Sequence, residues 1–97
     1  MNQEELMQQL QAAVVLHNQG ELDKAEAIYR QVLTVDENNF YAMRFLGCLY
    51  SVKVLFDEGI PLLLLAVDQR PGDKDAFYNL VNILMDSGRH EKALKSV

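Results

Sequence analysis

The small and large apolar residues of the segment Gly20 to Leu33 recur at an interval of 34 residues, and that interval leaves the chain few folds to choose from. Counting forward from Gly20 reaches Val54 and Gly88; from Ala25, Gly59 and Ala93; from Tyr29, Leu63 and Val97; from Val32, Ala66. The same register equates Gln9, Ala12, Ala13 and Leu16 with Met43, Leu46, Gly47 and Tyr50, and again with Phe77, Leu80, Val81 and Leu84. A period of 34 points to paired-helix units that stack, each copy covering the apolar face its neighbour cannot bury alone. We therefore expect an all-α solenoid of about three helix hairpins, the last one truncated.

Apolar residues at helical spacing run from Leu6 to Asn18, and Gly20 ends that helix where a left-handed residue costs least. A second helix is predicted from about Leu22 to Val35, followed by the polar turn Asp36-Glu37-Asn38-Asn39. The third spans about Phe40 to Lys53, with Ala13 and Gly47 letting neighbouring backbones approach. The fourth lies between Asp57 and Gln69 and stops at Arg70-Pro71-Gly72-Asp73. The fifth runs from about Asp73 to Asp86, Ser87-Gly88 breaks it, and a sixth begins near Arg89 and is cut off at Val97.

Composition narrows the partners. With 14 acidic against 9 basic residues and a net charge of -5, the chain lacks the clustered Lys and Arg that phosphate backbones require, so nucleic acid is not expected. No apolar run approaches the ~20 residues of a membrane span, and the acidic start Met1-Asn2-Gln3-Glu4-Glu5 is unlike a secretory leader. One cysteine, Cys48, cannot form an internal disulfide, which suits a cytoplasmic location.

The middle unit departs from the pattern. Val54 stands where the turn glycine should be, so the third helix is expected to run on or the turn to be reshaped. Gly59 replaces a small alanine, and Pro61 predicts that the fourth helix starts late or is distorted up to that residue. Leu62, Leu64 and Leu65 then make this helix apolar all round, which offers a self-association face unless the segment Val52 to Phe56 folds over them within one molecule. The sixth helix, with Ala93, Leu94 and Val97, leaves a second uncovered surface: the chain is either a fragment of a longer solenoid or pairs with another copy.

Nothing in the chain reads as an enzyme. His17, Cys48 and His90 lack the spacing of a metal motif, and the five glycines form no phosphate-binding loop, so neither metal nor cofactor is expected. Acidic pairs such as Asp57-Glu58 sit at helix starts, where capping and the helix dipole explain them.

Gly20-Glu21-Leu22-Asp23-Lys24-Ala25, Tyr29 and Val32, then Leu46-Gly47, Tyr50, Ala66 and Pro71, then Tyr78-Asn79-Leu80 and Gly88-Arg89-His90-Glu91-Lys92-Ala93 resemble successive tetratricopeptide repeats. The resemblance implies a single right-handed domain over residues 1–97, with repeats at about 6–39, 40–73 and an incomplete 74–97. It further implies a concave groove lined by the first helix of each repeat. That register places Met7, Leu10, Gln11, Val14 and His17 in the groove from the first repeat. Tyr41, Arg44, Phe45, Cys48 and Ser51 follow from the second, and Asp75, Tyr78, Asn79, Asn82 and Met85 from the third.

Carboxylate-gripping co-chaperone repeats use groove Lys, Asn and Arg, but Leu10 and Val14 stand in the first two places and Arg44 is the only groove cation. The phrasing around Leu16 to Leu33 is also similar to the N-terminal repeats of large bacterial proteins with glycosyltransferase or other transferase domains. Their asparagine ladder is matched here by Asn79 at one rung, with Gln11 as a substitute at another, and is interrupted by Phe45. Three readings stay open: a non-catalytic module binding a peptide or partner helix, an oligomerisation element, and the substrate-recruiting region of a larger transferase.

Overall fold

The computed structural model describes residues 2–95, the side chains of 93–95 excepted. Five helices follow one another: α1 (Gln3–Asn18), α2 (Leu22–Val35), α3 (Phe40–Val52), α4 (Phe56–Gln69) and α5 (Lys74–Lys95), with no strand among the described residues. Each packs on the next, giving the sequential hairpin stack of an α-solenoid. α1 also touches α3, and α3 touches α5, whereas α2 and α4 do not meet. The odd-numbered helices are therefore the crowded, inner side of the stack.

Side-chain caps start three of the helices. Asn2 Oδ1 accepts from the Glu5 amide at 2.8 Å, Asn39 Oδ1 from Ala42 at 3.0 Å and Asp73 Oδ1 from Ala76 at 3.0 Å, satisfying amides that have no partner within the helix. Behind α1, Gly20 takes a φ of 84°, and the amides of Gly20 and Glu21 bond back to His17 and Leu16 at 3.1 and 2.9 Å. One period later Val54 takes a φ of 63°, and the amides of Val54 and Leu55 bond back to Ser51 and Tyr50 at 3.1 and 2.8 Å. The expected run-on or reshaping of this turn is corrected: the same left-handed turn is made by a β-branched residue.

The fourth helix does not start late. α4 begins at Phe56 and carries Pro61 inside it. The hydrogen bond that Pro61 cannot donate would have gone to Asp57, an exposed first-turn residue whose carbonyl water can serve, so the helix keeps its start. Gly59 explains why that start matters. A Cβ on it would lie 2.6 Å from Ile83 Cδ1, 3.0 Å from the Gly47 carbonyl oxygen and 3.1 Å from Tyr50 Cβ. Gly47 is equally tight, with Leu63 Cγ 2.6 Å from the Cβ position. Two glycines thus bring α3 and α4 closer than two alanines would.

Nor does the chain break at Ser87-Gly88. α5 continues as one helix of 22 residues, about 33 Å long. Glycine inside a helix costs only about 1 kcal/mol relative to alanine. Against this, the ring of His90 meets that of Phe56 edge-on at 5.7 Å, holding the extension beside the start of α4. The apolar residues assigned to a sixth helix, Ala93, Leu94 and Val97, lie outside the described side chains.

The core runs along the stack. Leu6, Leu10, Ala13, Ala25, Tyr29 and Val32 join Leu46, Leu49 and Tyr50 between the first three helices. Phe40, Met43, Ala66 and Ala76 continue it, and Leu63, Leu80 and Ile83 close it against α5.

Candidate interaction face on the inner wall

Helical spacing turns one stripe of α1 and one of α3 toward each other. Met7, Leu10, Gln11, Val14, Tyr41 and Phe45, all expected in the groove, line one apolar hollow of about 470 Å³ there. Val15, 55% exposed and not foreseen, completes its rim. Leu10 forms the floor and belongs to the core at 3% exposure, so its contribution is to shape rather than to reach.

An aromatic row stiffens this wall. Tyr29 stacks on Phe45 at 6.1 Å and Phe45 on Tyr41 at 6.3 Å, while His17 meets Tyr29 edge-on at 6.2 Å with its Nδ1 3.3 Å from the Tyr29 hydroxyl. Burial pushes the Tyr29 phenol up to about 12, the nearby Cys48 adding to the effect, and burial lowers the His17 imidazole. Tyr29 and His17 are therefore uncharged near neutrality. Burial also raises the Cys48 thiol, against a smaller opposing pull from Arg44, so it stays protonated and lines the wall without being activated.

Cations bracket the row. Arg44 lies 4.5 Å from the Phe45 ring centre and its Nη1 donates to Asn79 Oδ1 at 3.2 Å, joining α3 to α5. That bond occupies the acceptor of Asn79 and leaves its amide group to donate. Arg44 is not the only cation beside the groove: Arg70 lies 4.2 Å from the Phe40 ring centre and 5.2 Å from that of Tyr41. Its position at the end of α4, just before Pro71, gave no helical periodicity by which to place it.

The remaining groove candidates are more dispersed. Ser51 and Asn82 are half-buried, Asp75 is exposed, and Tyr78 and Met85 are 66% and 49% exposed. Tyr78 lines a separate hollow of about 450 Å³ with Pro71, Gly72, Lys74, Phe77 and Val81. On the outer side, Leu62 is turned inward against the core, while Leu64 and Leu65 stay 51% and 54% exposed. The turn that was to fold over them is itself open, with Val52 and Val54 at 62% and 49%.

Away from the groove, Lys53 ties α3 to α2 by bonding Asp23 and Glu26, and the Tyr50 hydroxyl accepts from Arg30 at 2.7 Å while donating to Glu26 at 3.1 Å. Hydrogen bonding to Lys53 is the main reason both carboxyls sit below their ordinary values; those bonds raise Lys53 to about 12. Among the described residues no group of three or more His, Cys, Asp or Glu is arranged to hold a metal ion, and no helix is long and apolar enough to cross a membrane.

Sequentially packed hairpins with a shaped inner wall define a helical-repeat protein. Residues 9–39, from the middle of α1 to the turn after α2, match the family model of the tetratricopeptide repeat. That match covers about a third of the chain, and the five sequentially packed helices are consistent with a tetratricopeptide-like repeat protein. No curated protein matches the chain.

Proposed function

We propose that this protein is a non-catalytic protein-interaction module that holds a short peptide or a partner helix against the inner wall of α1 and α3. The observation that supports this reading is the apolar hollow between those helices, open to solvent yet floored by the core side chain of Leu10. Apolar anchors of a ligand fill such a hollow, and Gln11 at its edge offers both a donor and an acceptor to a bound backbone.

Ligands are to be selected from a displayed library of extended and helical peptides, and their affinities measured by calorimetry. Val14→Glu and Tyr41→Ala are each expected to weaken binding at least about tenfold. Leu64→Asp on the outer side leaves it unchanged. Selected peptides that bind both inner-wall variants as well as the parent, with helical circular dichroism intact, overturn the assignment.

A further inference from the structure

Phe77, Val81 and Leu84 occupy the same places in the 34-residue register as Met43, Gly47 and Tyr50. On α3 those places are buried beneath α4. On α5 they are 58%, 36% and 48% exposed, because the chain continues straight where a covering helix was expected to turn back. Tyr78 and Met85 flank them, and at 100° per residue the five side chains fall within about 120° of the helix surface, centred on Val81.

We propose that this stripe is where two copies of the chain pair, α5 antiparallel to α5 about a two-fold axis at Val81. A covering helix must bring an apolar stripe of matching length, and α5 brings its own: it runs unbroken for 22 residues. In this register Phe77 lies opposite Met85 of the second copy and within one turn of that copy's Gly88. Nothing approaches within 4 Å of the Cβ position at Gly88, so the ring finds room there. On one rim Asp75 approaches Arg89, which also pairs with Asp86, and on the other Asp73 approaches Glu91, while the exposed Lys74, on the line of the stripe, bounds the apolar seam at each end.

Complete burial of the exposed fractions of the five side chains removes about 500 Å² per copy, about 1,000 Å² for the pair, the size of a weak, reversible interface. A symmetric contact of that size gives a concentration-dependent dimer. The outer pair Leu64 and Leu65 offers a smaller stripe on a shorter helix.

Sedimentation equilibrium of the full chain tests this. The mass is expected to rise from 11.1 kDa toward twice that value with concentration. Leu84→Glu raises the Kd at least about tenfold, whereas Leu64→Glu leaves it unchanged. In a Cys48→Ser background, Val81→Cys forms an intermolecular disulfide on mild oxidation, since the axis brings the two Cβ atoms into bonding range. A monomer at every concentration overturns the proposal. So does association abolished by Leu64→Glu alone, which moves the contact to the outer leucines.

Discussion

Replacing Val54 with glycine is expected to stabilise the protein. Val54 holds a φ of 63°, the conformation that Gly20 holds one period earlier at 84°. A residue with a Cβ pays about 1–2 kcal/mol to sit there, and a β-branched one lies at the upper end. Two effects oppose the gain: glycine adds about 0.5–1 kcal/mol of freedom to the unfolded chain. Loss of the half-buried valine side chain removes a few tenths of a kcal/mol more. The net is about 0.5–1 kcal/mol in favour of Val54→Gly, or a Tm higher by about 2–8 °C for a domain of this length.

Thermal and urea unfolding followed by helical circular dichroism, at low micromolar protein so that association does not intrude, measures the difference. Gly20→Val is the mirror experiment. Nothing lies within 4 Å of the Cβ position at Gly20, so its expected cost of about 1 kcal/mol or more is a backbone cost alone. A neutral or destabilising Val54→Gly, together with a harmless Gly20→Val, refutes the strain argument.

Two further outcomes follow from the packing of α3, α4 and α2. Gly59→Ala is expected to destabilise by about 1–3 kcal/mol in urea, because the added methyl meets a backbone carbonyl at 3.0 Å that cannot swing aside, even if Ile83 can. Lys53→Met is expected to lower the urea midpoint near neutral pH. Glu26 and Asp23 have folded-state values depressed below 4.5 and 3.8, so the stability they add through Lys53 is complete above those values. It is lost as pH falls through the lower, folded ones. The gap between parent and variant should therefore close in acid; a gap that persists at low pH means that Lys53 acts by packing instead.

The stack itself was legible because every hairpin repeats one apolar register, and burial follows that register: Ala25, Tyr29 and Val32 are as deeply buried as Gly59, Leu63 and Ala66. Where single residues departed from the pattern, neighbours decided. Val54 kept a glycine's turn because the bonds from Val54 and Leu55 to Ser51 and Tyr50 reward it. Pro61 was absorbed because the bond it deletes belongs to an exposed first turn. Gly88 made no turn although it repeats Gly20, since a glycine permits a left-handed residue without requiring one, and here the helix runs on to pack His90 against Phe56. The inner wall was read as a stripe, and six of its side chains line one hollow between α1 and α3. Pair contacts such as Arg44 to Asn79, or Arg70 over Phe40, depend on long side chains crossing between helices, which periodicity does not encode.

The two proposed surfaces differ in what stands behind them, and that difference governs how they interact. The hollow is the outer skin of the core: Leu10 lines it at 3% exposure, and Phe45 is braced by Tyr29, which is wholly buried. A ligand there meets side chains already ordered, so little rotamer entropy is lost on binding. The stripe on α5 is supported from one side only and gains its order from whatever covers it. Tyr78 and Met85 lie at the border of both surfaces, facing the groove in the register and flanking the seam on α5. A ligand confined to α1 and α3 thus binds monomer and dimer alike, whereas one long enough to reach Tyr78 competes with pairing. By linkage, a longer ligand must then weaken self-association by the same factor that self-association weakens its binding, which ties recognition at the inner wall to the concentration of the protein.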